Sequence, residues 1–290
     1  MFDKLREALK GKAAAAPAKD VQSQPVKERS QIEAPVVLPF TDSTIDMGGE
    51  RIRQPDLLKG DVDHSGHLRI LARNDEEAGK LCIDALGASR DRKTVHYGTD
   101  DIAGYLSGKS ELEILTLTKN GETFAAYPLF PVGRPVPARI TQITECKNTY
   151  EGQPEVWLND GTVTFFDSLY FRNRNSYYPG KDVRVLLSGI AYVLSKARAQ
   201  SHDLKSAADE VLIRYENGDV DDYVFRGVVE GVKDITAFGK KAVILKTTAR
   251  TGPDSAPFDL YLCATSSAIS EKINPGDYVS GIIWLQGFII

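Results

Sequence analysis

The residues best suited to chemistry lie between 171 and 178. Phe171, Arg172, Arg174, Tyr177 and Tyr178 interleave aromatic rings with guanidinium groups. Rings stack on bases, and guanidiniums pair with phosphates or stack beside them. The pattern therefore suits single-stranded nucleic acid, at roughly 1–3 kcal/mol per stacked base. Tyrosine and arginine also dominate the hot spots of protein interfaces. A third reading places Phe171 and one tyrosine in a hydrophobic wall and leaves the arginines solvated.

Other chemistry-bearing residues are sparse. Asp61, Asp63 and Gly66 begin like a calcium loop, but loop position twelve, where a bidentate glutamate belongs, is Ala72. His64 and His67 stand three apart without further ligands in sequence, so the segment reads as a solvated polar turn, and neither metal nor cofactor is expected. His96 and His202 are isolated. The chain lacks G-x-S-x-G, a Walker A run, a Rossmann glycine set and H-E-x-x-H. A non-enzymatic protein is the resulting expectation. Cys82, Cys146 and Cys263 are too few and too scattered for a disulfide framework or a zinc ribbon. They read as separate buried thiols of a reduced, cytoplasmic protein. The opening residues are charged where a secretion signal needs an apolar core. No apolar run approaches the ~20 residues that span a bilayer, so membrane insertion is not expected. The net charge of −4 hides two mildly basic stretches, 135–198 and 223–290, separated by an acidic link. Neither stretch has the dense basic footprint of a strong duplex binder.

These residues need a scaffold, and the clearest pointer to it is a repeat. Asn120 and Gly121 follow Glu113 as Asn217 and Gly218 follow Glu210, with seven residues from Glu to Asn in both places. Asn-Gly between β-rich runs marks a hairpin, because both residues tolerate positive φ. Arg139 then matches Arg226, Phe166–Asp167 matches Phe258–Asp259, and Gly180 matches Gly276. Each block ends in a long apolar strand, Leu187–Ile190 or Leu285–Phe288. The interval from the turn glycine to the strand glycine is nine residues in one block and eleven in the other, a difference that preserves inside–outside parity. Pro128, Pro131, Pro135 and Pro137 set an extended path into the first block. Trp157 and Trp284 read as core or barrel-rim residues. The duplicated carboxylates suggest structural pairs, Arg139 with Asp167 and Arg226 with Asp259.

The expected fold is mostly β, α+β overall: two tandem duplicated small β-barrels, OB-like or SH3-like, preceded by a small α/β segment and a disordered N-terminal tail. Residues 1–40 hold a short amphipathic helix, with Phe2, Leu5 and Leu9 on a docking face, and a proline-rich linker. Residues 41–109 form the α/β segment. Here a strand is predicted over Leu68–Ala72, a helix capped by Asn74 with Glu77 completing a capping box, a strand over Thr94–Tyr97, and a second helix after Thr99. Barrel copy 1 covers 110–195, a linker 196–208, and copy 2 covers 209–290. Between the third and fourth strands, where an OB barrel carries a helix, neither copy offers a strong helical signal. The functional expectation is a binding or assembly protein that joins partners in a bacterial or phage multiprotein complex. Its partner would be a protein, with single-stranded nucleic acid as the alternative.

Overall fold

The computed structural model describes residues 43–46, 57–60, 64–197, 210–252 and 254–290. The docking face of Phe2, Leu5 and Leu9, the proline-rich linker and Asp61–Asp63 lie outside the described residues. Among the described residues no helix is long and apolar enough to cross a membrane.

The first unit is a five-stranded sheet. Strands β3 (Asp91–Tyr97), β4 (Asp100–Ser107), β5 (Glu113–Lys119) and β6 (Glu122–Leu129) form an antiparallel meander. Strand β1 (Ser43–Asp46) joins β3 in parallel. A 3-10 helix, His64–Ile70, occupies the place where a strand was expected, and helix α1 (Asp75–Gly87) follows. Its cap is the predicted one: the Asn74 side chain accepts from the Glu77 amide at 2.8 Å, and Glu77 reaches back to the Arg73 amide. The predicted second helix is β4 instead. Ile102, Ala103, Leu106 and the Leu115 opposite Leu106 are all buried, so the apolar spacing that suggests a helix reflects a strand packed on both faces. The Asn120–Gly121 hairpin is real, with Asn120 at φ 51°. It completes this first sheet, however, and is not the start of a barrel.

The rest of the chain builds two barrels that share two strands. Copy 1 supplies β7 (Pro135–Cys146), β8 (Gly152–Leu158), β9 (Gly161–Thr164), the two-residue β10 (Phe166–Asp167) and β11 (Asp182–Lys196). Copy 2 supplies β12 (Val211–Arg214), β13 (Asp222–Ala237), β14 (Lys240–Ala249), β15 (Phe258–Thr265) and β16 (Tyr278–Ile289). Strand β2 (Leu57–Gly60) adds to β7 in parallel, and β12 pairs with β13. One ring runs β13–β14–β15–β11–β16 and back to β13. The other runs β7–β8, then β9 and β10, then β16–β11 and back to β7. Each is a five-stranded barrel of OB type, closed by a strand from the other copy. One parallel pairing occurs in each ring, β15–β11 and β10–β16, as in a Greek key whose third strand meets its fifth.

Matching bulges fix the true register of the duplication. One interrupts β7 between Ile140 and Gln142, the other β13 between Val229 and Gly231. The turn glycines serve them identically: Gly180 donates to the Ile140 carbonyl and Gly276 to the Val229 carbonyl, both at 2.7 Å. Ile140 therefore corresponds to Val229, two residues away from the Arg139/Arg226 match. In the third strands Phe166 pairs with Gln286 and Tyr261 with Ser188, so Phe166 corresponds to Tyr261 instead of Phe258. A bulge shifts register locally, and a match of short motifs cannot locate it.

The helix between third and fourth strands exists in copy 1. Tyr170–Asn173 is one α turn (α2), continued by a 3-10 turn over Arg174–Ser176.

Candidate functional site

The 171–178 segment faces inward. Phe171 and Tyr177 are fully buried, Arg174 is buried, Arg172 is partly exposed, and Tyr178 alone presents its ring to solvent. Phe171 and Tyr177 are thus barrel-wall residues whose faces are not open to a base. The Arg174 guanidinium lies 4.6 Å from the Tyr97 ring centre and 5.1 Å from that of Tyr150, while the Tyr97 hydroxyl donates to the Phe171 carbonyl at 2.6 Å. An aromatic and basic pattern that reads from sequence as a ligand platform is an intramolecular joint. It fastens the first sheet to the helical turn of barrel 1.

Asp167 anchors that turn. It accepts from the Leu169 amide at 2.8 Å and the Tyr177 hydroxyl at 2.5 Å. Burial pushes its carboxyl up to about 7, against those hydrogen bonds and the charge of Arg172. The expected Arg139–Asp167 pair is absent. Arg139 forms a two-pronged pair with Asp182 at 2.7 and 3.0 Å. Asp259 lies beside Arg134 at 3.5 Å and Lys246 at 3.8 Å, on the surface and away from Arg226.

A second cluster lies at His64 and His67, where the sequence predicts a solvated turn and the structure places a buried one. His64 and His67 are both buried. His67 stacks on Trp284 with ring centres 3.8 Å apart, and His64 lies 4.0 Å from Phe166. His64 Nε2 is 3.4 Å from Asp221 Oδ2, and its Nδ1 is 3.7 Å from Glu151. The Asp221 carboxylate also accepts from the Trp284 indole at 3.1 Å. The Tyr192 hydroxyl meets His67 Nδ1 at 2.7 Å and donates to Asp222 at 2.9 Å. The cluster joins the 3-10 helix to both copies: Glu151 and Gln153 come from copy 1, Asp221, Asp222 and Trp284 from copy 2. Burial opposes charge on His64, but hydrogen bonds with Asp221, Cys146 and Glu151 outweigh it and raise its pKa well above 6.5. Asp221 moves the other way: burial would raise it, yet His64 holds it below its ordinary value. The two therefore form a buried ion pair. Asp222 is raised to about 7, by burial first and by the Asp221 charge. Among the described residues no group of His, Cys, Asp and Glu is placed to hold a metal ion. The sequence signal was the His-x-x-His spacing. Nothing local announced that Asp221, more than 150 residues later, completes it.

The outward chemistry sits on barrel 1. Trp157 on β8 is 48% exposed and Tyr178 is 51% exposed. Asp182, Arg139 and Trp157 are direct cross-strand neighbours on β11, β7 and β8. The turn from Tyr178 into β11 packs beside them, because the Ile140 amide bonds to the Lys181 carbonyl at 2.9 Å. Two exposed rings thus flank a surface Arg–carboxylate pair. Of the two tryptophans, only Trp284 is in the core.

The architecture defines an OB-type tandem barrel. No protein family and no curated protein matches the chain. A solved structure of the cytoplasmic molybdate-binding protein ModG, with molybdate bound, is similar at 12% sequence identity and a TM-score of 0.31, over 54% of this chain and 96% of that one.

Proposed function

We propose that this protein is a non-enzymatic binding or assembly module that docks a protein partner through the outer face of barrel 1. The observation supporting this reading is the Trp157–Arg139–Asp182–Tyr178 patch. Tryptophan, tyrosine and arginine are the residue types that carry most binding energy at interfaces. The frame beneath the patch favours the same reading. A barrel closed by its sister's strand is stiff, so little ordering is required when a partner docks. The burial of Phe171 and Tyr177 favours a protein partner over single-stranded nucleic acid.

Affinity capture from source-cell lysate tests the proposal, comparing the full chain with a Trp157→Ala/Tyr178→Ala double variant, each with and without nuclease. The expected result is a protein retained by the wild type, lost by the double variant and indifferent to nuclease. Retention unchanged in the double variant would overturn the patch. Loss on nuclease treatment would overturn the protein partner in favour of nucleic acid.

A further inference from the structure

The buried ring of His64 is held by charge. Its Nε2 stands 3.4 Å from Asp221 Oδ2, and its Nδ1 stands 3.7 Å from Glu151 Oε1. Those spans are long for hydrogen bonds and ordinary for ion pairs. The seat is also loose. Among the described residues, His64 Nδ1, Glu151 Oε1, Asp221 Oδ1 and Gln153 Oε1 are buried without a hydrogen-bond partner. A charged imidazole presents an N–H to each carboxylate. A neutral one has a single N–H, so either tautomer turns its lone pair on one of the two acids. Gln153, 3.4 Å from Nε2, carries no charge and can turn its amide to suit either form. The carboxylates cannot.

The surrounding elements add acid and no fixed cation. Asp219 lies with Asp221 in the turn before β13, and Asp222 begins that strand. The end of β7 contributes the Cys146 thiol. His67, on the ring's own helix, stacks on Trp284 of β16 and meets the Tyr192 hydroxyl of β11. Tyr127 of β6 packs on Phe166 and Trp284, but its hydroxyl donates to the Ser168 carbonyl. Among the described residues neither Asp221 nor Glu151 pairs with a lysine or an arginine.

We propose that His64 is a proton-operated latch between the two barrel copies. Charged, it bridges Glu151 of copy 1 and Asp221 of copy 2. Neutral, it leaves the niche, which fills with water and frees Trp284 from His67. Both barrels keep their fold in the open form. Neither barrel's ladder includes the 3-10 helix, and Leu68 and Leu71 hold that helix in the core beneath the first sheet. The closed form binds the proton more tightly, in line with the raised His64 and lowered Asp221 pKa values, so opening falls on the alkaline side of neutrality. The latch is separate from the docking patch and makes the joint between the copies responsive to pH.

Trp157→Phe leaves Trp284 as the sole tryptophan. Acrylamide quenching of its fluorescence, followed from about pH 6 to about pH 10, reads the latch. Quenching should rise several-fold in one step that fits a single proton, with far-ultraviolet circular dichroism unchanged. In this background Glu151→Gln should move the step down by about 1–3 pH units, because one of the two acids that hold the proton is gone. Asp167→Asn should leave the step in place, although Asp167 itself titrates at about 7. His64→Gln should show no step. Level quenching in the Trp157→Phe chain, or a step retained in His64→Gln, would overturn the latch. So would loss of the dichroism within the same step, which would mean global unfolding. If His64→Gln does not fold, the Glu151→Gln midpoint decides, and an unmoved midpoint overturns the proposal.

Discussion

Ser188 of β11 and Gln286 of β16 are counterparts in the duplication and also face each other across the strand pair, so the local two-fold axis passes between them. Their side chains break that symmetry to a common end. Gln286 accepts from the Phe130 amide at 3.0 Å and donates to the Pro128 carbonyl at 2.6 Å, and Ser188 donates to the Phe130 carbonyl at 2.5 Å. The proline-rich connection is thereby strapped over the axis. At Gly133 it comes so close to β11 that a Cβ would stand 2.7 Å from the Leu187 carbonyl.

Gln286→Leu should destabilise the protein by about 1–3 kcal/mol, since it leaves the buried Phe130 amide unpaired, and Ser188→Ala by about 1 kcal/mol. Because β11 and β16 belong to both rings, the two barrels should lose structure in one calorimetric transition in either variant. Two resolved barrel transitions would contradict the shared-strand architecture.

Short-range signals made part of this fold legible. The Asn74–Glu77 cap, the Asn120–Gly121 turn and the glycines Gly180 and Gly276 each act through neighbours within a few residues, so sequence displays them. The strand exchange does not show, because a strand's preference for its own or its sister's barrel depends on which edge is open in space. The same holds for the site residues. Arg174 needs Tyr97 and Tyr150, and His64 needs Asp221, and these partners come from separate elements. Charge and aromaticity in the 171–178 segment suggest a surface for another molecule, whereas Phe171, Arg174 and Tyr177 pack inward, and Arg174 sits against Tyr97 of the first sheet.

Arg174→Leu should weaken the joint between that sheet and barrel 1. A desolvated cation–π contact is worth about 2 kcal/mol or more, and here the guanidinium faces two rings. Hydrogen exchange should rise in β3 and α2 ahead of the barrel strands. Arg174→Lys should recover only part of the loss, because an ammonium cannot stack as a plane. Tyr178→Ala, at the exposed end of the same segment, should melt like the wild type.

Asp259→Asn should change stability by less than about 1 kcal/mol, as expected for partly exposed ion pairs. A larger loss in denaturant titration would restore a core role for this carboxylate.

The thiols should be silent in the folded protein. Burial pushes Cys263 up to about 12 and raises Cys146 as well. Ellman's reagent should therefore label neither until the chain unfolds, and Cys82, half-buried beside Thr116, should react first. Rapid labelling of Cys146 in native buffer would show that the His64 cluster is open to solvent.

Stability should fall as pH rises from mildly acidic to alkaline. Asp167 and Asp222 titrate in the folded state at about 7, against an ordinary carboxylate value of 3.8. The folded form therefore holds their protons more tightly, and the stability that this provides is lost as pH climbs from about 4 through 7. His64 acts in the same sense. Its folded pKa lies well above 6.5, so its contribution is complete below 6.5 and disappears as pH passes the folded value. Opposing groups work lower down. Asp221, Asp100 and Asp182 sit below their ordinary values, and their contributions vanish as acid protonates them. Melting temperature against pH should thus peak on the acid side of neutrality. Asp167→Asn, which keeps a neutral group in the buried position, should flatten the decline between pH 5 and 8, and His64→Gln should lower the whole curve below neutrality. A wild-type profile that rises through pH 7, or an Asp167→Asn profile parallel to it, would rule out this assignment.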